Sequence, residues 1–188
     1  MKKFTRIEPT TTQTYGVRFK RTALVKRFRT DDGIEHEFTT EGAEDSHAGA
    51  VIALTPGNQV ITAYQFRAGP ERWMYDVPGG TFNDGEDAKV AALRELKEET
   101  GYEPKRVEFL GTSCRSGYFN ITWHYFMATG CTLSASGLDQ DEEEQDQGAE
   151  VRLISIADLI RYAKEDKMTD PHAVLMAYDK LMQLAGEA

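Results

Sequence analysis

Residues 80–102 read GTFNDGEDAKVAALRELKEETGY. Between Gly85 and Thr100 the spacing predicts a helix. Val90, Leu93 and Leu96 recur every three residues, with Ala88, Ala91 and Ala92 around them, which gives one apolar face. Asp84 reads as the N-cap, Glu86 and Asp87 as first-turn acids favoured by the helix dipole, and Gly101 as the stop. On that helix Glu95 and Glu99 lie one turn apart with Glu98 alongside, on an accessible stripe away from the apolar face. Like charges at this spacing cost a helix some stability. Two readings follow. The glutamates are a solvated face softened by Lys89, Arg94 and Lys97, or they hold a hard divalent cation that offsets their repulsion, as oxygen ligands hold Mg²⁺.

The rest of the chain limits the choices. Its 188 residues suit one sizeable domain, and 40% hydrophobic with 28% charged residues is ordinary for a globular protein. A net charge of −9 argues against a general nucleic-acid binder. No apolar run approaches the roughly 20 residues that cross a bilayer, and MKKFTRIEPTTTQTYG has no apolar core of a secretory signal. Cys114 and Cys131 are too few for a disulfide scaffold, so a cytoplasmic protein with reduced thiols is expected. Charge is segregated: through Arg29 there are nine Lys or Arg against one acid, Glu8, whereas Asp139–Glu150 holds seven acids and no base. These ends are either solvated segments or contributors to a phosphate and metal site.

Strand-like runs occupy TALVKRF, HEFTT, GAVIALT and QVITAYQF, the last two flanking a PGN turn. WMYDV leads into the breaker PGG. After the helix, strand signals return in RVEFLGT, ITWHYFMAT and AEVRLIS. The amphipathic segments IADLIRYAKE and PHAVLMAYDKLMQLA close the chain, with Pro171 in a first-turn position. A mixed sheet sandwiched by helices is predicted, an α/β (α+β) domain.

The spacing Gly80, five residues, Glu86, seven residues, then Arg94-Glu95-Leu96-Lys97-Glu98-Glu99-Thr100-Gly101-Tyr102 resembles the signature of the Nudix hydrolases. Seven invariant letters fall in register, a coincidence of about 10⁻⁸ to 10⁻⁹ at one given start from ordinary residue frequencies. Tyr102 stands where an aliphatic residue is usual. The resemblance implies a Nudix α/β/α sandwich over residues 49–188. It implies small antiparallel strands over residues 1–48 that serve as a dimerisation element in a homodimer. It implies Mg²⁺, with Mn²⁺ as the alternative, held by Glu95, Glu98, Glu99 and the Gly79 carbonyl. Glu98 and Glu99 would be catalytic, and Arg94 and Glu86 would orient the cluster by ion pairing. A bound cation would reverse the local charge, polarise phosphoryl oxygens and supply hydroxide for in-line attack.

The flank YQFRAGPERWMYDVPGG resembles the ADP-ribose and nucleoside-diphosphate-sugar pyrophosphatase branch, which implies cleavage to a nucleoside monophosphate and a sugar phosphate. Arg67 is then the substrate phosphate contact, with a plain surface arginine as the alternative. Asp76 stands where that branch has glutamate, and no role is carried to it. CRSGYFNITWHYFMATG resembles the branch's S-P-G-[YF] loop with Ser116 in place of proline. DQDEEEQDQGAEV resembles its acidic loop, so Glu142, Glu143 and Glu144 are candidates for a further glutamate, with Glu144 taken as the catalytic one. Trp73, Tyr118 and Phe119 are read as core residues, with base stacking as the alternative. The competing functions are a Nudix triphosphate or dinucleotide pyrophosphatase and a non-catalytic nucleotide-sensing module. Neither nucleic acid nor membrane is expected as a partner.

Overall fold

The computed structural model describes residues 2–16, 20–135 and 149–186. The chain falls into two compact units, Met1–His47 with Ser113–Thr122, and Ala48–Thr112 with Trp123–Ala188. In the first unit, strand β1 (Phe4–Tyr15) pairs antiparallel with β2 (Arg21–Thr30), and β2 with the start of β3 (Glu35–Leu54). The turn between β2 and β3 closes where Gly33, at φ 84°, donates its N–H to the Thr30 carbonyl at 2.9 Å. β1 has no counterpart in the sequence reading. FTRIEPTTTQTY is rich in β-branched threonine but has few apolar residues to mark a buried face. HEFTT and GAVIALT, read as separate runs, belong to one strand of 20 residues.

In the second unit the end of β3 continues into an antiparallel hairpin with β4 (Val60–Arg67), in the register Leu54↔Val60, and β4 pairs with β5 (Arg72–Asp76). Two short strands, β6 (Tyr102–Glu103) and β9 (Thr132–Leu133), pair with each other as a separate small sheet. β7 (Arg106–Ser113) and β8 (Phe119–Thr129) add to the sheet, β8 beside β3, and β10 (Glu150–Ile154) pairs antiparallel with β4. Helix α1 (Ala88–Thr100) covers one face, and α2 (Ile156–Lys164) and α3 (Pro171–Gly186) cover the other. Strand alternation produces this directly. Val51, Ala53, Ile61, Phe126 and Ala128 pack with Ala92 and Leu96 of α1. Ile52, Leu54, Val60, Tyr125 and Met127 pack with Leu159, Val174 and Leu181 of α2 and α3. A strand buried on both faces reads as the unbroken apolar run seen in GAVIAL.

The start and face of α1 differ from expectation. The cap is Asp87, whose carboxylate accepts the Lys89 and Val90 N–H groups at 3.0 and 3.1 Å. Asp84 does not cap, because the residues meant for the first turn form a separate turn. Gly85 sits there at φ 72°, and Glu86 N–H donates to the Asn83 carbonyl. Val90 is exposed, whereas Ala91, Ala92, Leu96 and Thr100 are buried. Alanines let the helix approach a glycine of the sheet: a Cβ on Gly49 would lie 3.3 Å from the Ala92 Cβ. At the edge of β5 the chain after α2 adds main-chain pairing, with Tyr75 N–H on the Lys167 carbonyl and Thr169 N–H on the Tyr75 carbonyl. Among the described residues no helix is long and apolar enough to cross a membrane. Both cysteines are free; burial pushes the Cys131 thiol up to about 11, which keeps it protonated near neutrality.

Leu96→Ala should therefore cost about 2–5 kcal/mol in urea unfolding, and Val90→Ala no more than about 0.5. Equal losses would restore Val90 to the packed face.

Candidate active site

The site is built where the PGG turn passes between the sheet and α1. Val51 N–H donates to the Pro78 carbonyl at 2.8 Å and Gly49 N–H to the Gly80 carbonyl at 2.9 Å, so the turn runs along the buried end of β3. Backbone closes the space at Gly79, and the Glu95 carboxylate occupies it at Gly80. A Cβ on Gly79 would drive into the Gly49 carbonyl, and one on Gly80 would lie 2.7 Å from the Glu95 carboxylate. The Gly79 N–H donates to Glu99 Oε2 at 3.0 Å. The two-glycine turn thus touches the carboxylates of both Glu95 and Glu99, one helical turn apart.

Arg94 gathers the remaining acids. Its Nε and Nη2 meet the two Glu86 oxygens at 3.0 and 3.1 Å, and its Nη1 lies 3.0 Å from Glu95 Oε1 and 2.8 Å from Glu98 Oε2. Hydrogen bonding to Glu86, joined by Glu98 and Glu95, raises the Arg94 pKa further, and the Arg94 contact holds the Glu86 carboxyl below the usual range. The glutamates are not one accessible stripe. The Glu95 side chain is only 14% exposed against 39% for Glu98, because Glu95 lies under the glycine turn.

Among the described residues no three His, Cys, Asp or Glu side chains converge closely enough to hold a metal alone. The side chains gathered here, Glu95 and Glu99 at the turn and Glu98 on Arg94, are nevertheless all hard-oxygen donors. A cation that draws on main-chain oxygen and water as well as one or two carboxylates suits them. Glu142, Glu143 and Glu144 lie outside the described residues.

Arg67 is engaged with Asp76. Its Nε is 2.8 Å from Asp76 Oδ2, its Nη2 contacts the same oxygen, and Gln65 Nε2 donates there at 3.0 Å. Burial pushes the Asp76 carboxyl up, with Arg67 and Gln65 pulling against it. Sequence reasoning gave no role to Asp76 and passed over Gly49. Gly49 carried a signal, since glycine inside a strand marks close backbone approach. Asp76 carried one too, since it stands where the resembled branch has glutamate, but no role was carried to it. Trp73, Tyr118 and Phe119 are not core residues; all three are large exposed side chains. Trp73 stacks on Tyr64 at 5.4 Å between ring centres. Tyr118 and Phe119 sit in the first unit, in a loop and at a strand start.

A NUDIX domain model matches residues 45–178. The chain belongs to the Nudix family. It is 34% identical over 131 residues to a methanol dehydrogenase activator of Bacillus methanolicus, covering 68% of each chain. It is 31% identical over 124 residues to an ADP-ribose pyrophosphatase of Bacillus subtilis, covering 65% of each. The fold matches a crystal structure of an ADP compounds hydrolase at a TM-score of 0.74 and 19% identity, over 97% of this chain and 96% of that one. Nudix hydrolases generally need a divalent metal. The glycine turn, Arg94 and the glutamates described above all lie inside the matched span.

The Glu86–Arg94 pair makes a pH prediction. A carboxyl held below its unfolded value contributes stability above the ordinary carboxylate range and loses it as pH falls through the lowered value. Glu86→Gln should melt below the parent protein at pH 7, and the gap should close as pH falls below about 4. Melting curves across pH check this; a constant gap would separate Glu86 from the acid response.

Proposed function

We propose that this Nudix hydrolase cleaves the pyrophosphate bond of ADP-ribose or a related nucleoside diphosphate sugar, giving a nucleoside monophosphate and a sugar phosphate. The observation that carries this reading is the two-glycine turn in contact with both Glu95 and Glu99. The turn holds one carboxylate by a main-chain N–H and packs against the other, so two acids one helical turn apart are seated on rigid backbone. The relatives that act on ADP-ribose and ADP compounds support the substrate class.

In this reading Glu95, Glu99 and the Gly79 carbonyl, with Glu98, hold Mg²⁺ or Mn²⁺. When bound, such an ion polarises the phosphoryl oxygens and lowers the pKa of attacking water. Arg94 keeps Glu95 and Glu98 in place through its fixed planar fork. Glu98, the most exposed of the Arg94 partners, and Glu99 are the candidates to accept the proton of the attacking water. Glu144 is the further candidate from the acidic loop. Arg67 contacts a substrate phosphate. Two free thiols suit a reducing cytoplasm.

Residues 1–48 are read as the dimerisation element of a homodimer. Its support is an aromatic cluster in which Phe28 lies 5.9 Å from Phe38 and Phe4 lies 6.3 Å from Phe38, with Phe4 and Phe38 nearly half exposed. Contiguous exposed aromatic surface of this kind marks an interface. Phe38→Asp should shift the sedimentation coefficient from dimer to monomer; an unchanged value would leave this face without that role.

The match to a methanol dehydrogenase activator favours a second reading, action on a partner dehydrogenase. Adding the chain to a methanol dehydrogenase assay separates the two. The primary test incubates the protein with Mg²⁺ and a panel of ADP-ribose, other nucleotide sugars, dinucleotides and triphosphates, with products resolved by chromatography. ADP-ribose or a nucleotide sugar should turn over fastest, and Glu99→Gln should lose about 10²-fold or more in kcat with its fold intact. Mg²⁺ should also raise the melting temperature of the parent protein more than that of Glu99→Gln. No turnover of any diphosphate by a metal-loaded sample would overturn the reading.

A further inference from the structure

Asp76 and Gln65 are 5% and 6% exposed, whereas the side chain of Arg67 is 34% exposed. The carboxylate is therefore the buried, fixed end of this cluster and the guanidinium its presented end. Strand pairing explains how. Ala63 lies opposite Asp76, and Ala63, Gln65 and Arg67 share one face of β4, so both donors on that face reach the same carboxylate across the β4–β5 pair. The Arg67 Nε and Nη2 and the Gln65 Nε2 contacts all fall on one oxygen, Oδ2. Three and four residues further on come Gly79 and Gly80, the glycine turn that touches Glu99 and Glu95.

Stability alone does not account for the cluster. Replacing a buried ion pair by well-packed apolar groups is often neutral or stabilising. Among the described residues the cluster also leaves the Gln65 Oε1 buried without a hydrogen-bond partner, while the amide keeps its N–H on Asp76. An unsatisfied buried acceptor is a cost. Nor does the cluster strengthen attraction for anions, since a carboxylate at contact offsets part of the arginine's charge. What it does provide is a guanidinium whose Nε edge is locked. Free, that long side chain would lose its rotamer freedom on meeting a ligand.

We infer that Asp76 is a positioning residue for substrate binding: with Gln65 it fixes the Arg67 guanidinium in the orientation that meets a substrate phosphate. The inference rests on the reading of Arg67 as a phosphate contact. Asp76 acts on affinity through Arg67 and takes no part in the bond-breaking step.

The test measures kcat and KM for ADP-ribose, the inhibition constant of inorganic pyrophosphate, and the melting temperature. It compares Arg67→Ala, Asp76→Asn, Asp76→Glu and the Asp76→Asn/Arg67→Ala double variant of the full chain. Asp76→Asn should raise both KM and the pyrophosphate inhibition constant about tenfold with kcat within about threefold. Asp76→Glu, which restores the charge pair, should recover most of that loss. The double variant should bind no more weakly than Arg67→Ala alone, as expected of residues acting through one contact. Three outcomes overturn the inference: Arg67→Ala weakening binding while Asp76→Asn does not, losses that add in the double variant, or a fall in kcat alone that tracks the melting temperature. If Arg67→Ala itself leaves KM and pyrophosphate inhibition unchanged, the phosphate role of Arg67 falls, and the role of Asp76 with it. Should Asp76→Asn fail to fold, Gln65→Leu, which removes one donor from Asp76 and the unsatisfied oxygen together, replaces it. It should raise KM in the same direction, and an unchanged KM there overturns the inference.

Discussion

The arrangement of the site depends on a single cation among anions. In a chain of net charge −9, Arg94 spends two nitrogens on Glu86 and a third on Glu95 and Glu98. A lysine would offer a point charge on a flexible stem and could not hold three carboxylates in fixed directions. Glu86 lies before α1 and Glu98 near its end, so this arginine also ties the helix to the turn that leads into it. The mutual repulsion of the glutamates is offset locally, and the helix can carry them against a sheet.

The sheet contributes an absence of side chains. Gly79 lets its turn meet the Gly49 backbone closer than any Cβ would permit, Gly80 leaves space that the Glu95 carboxylate fills, and Gly49 lets Ala92 of the helix pack close. Ala92 continues that logic on the helix side. Glycine in the middle of a strand costs conformational entropy and packing, and the return is a carboxylate seated directly on a peptide turn. The same tight contact is what covers Glu95 while leaving Glu98 half open.

Much of this was legible in the chain's letters, and the boundary is physical. Periodic apolar positions marked α2, α3 and the central strands, because burial on one or both faces imposes a repeat. The spacing from Gly80 to Gly101 marked the cluster that Arg94 and the glycine turn gather, because acids that meet one arginine and one turn from a helix must recur at fixed intervals. Three things stayed hidden. Asp84 and Asp87 are equally good caps by composition, and only the turn at Gly85 chooses between them. Val90 and Ala92 both fit an apolar stripe, and only the nearness of Gly49 favours the small residue. The engagement of Arg67 by Asp76 joins residues nine apart through strand pairing, and neither residue type announces it.

The main-chain bonds between Tyr75 and the segment after α2 have a consequence for the molecule in a crowded solution. β5 is an outer strand and carries exposed aromatic surface at Trp73. An uncovered strand of that kind is a template on which further chains can add edge to edge. Lys167 and Thr169 occupy its central donor and acceptor, so the strand that delivers the glycine turn is already paired on both sides at Tyr75. The protein thereby keeps a sticky ribbon beside its site without offering it as a seed for polymerisation.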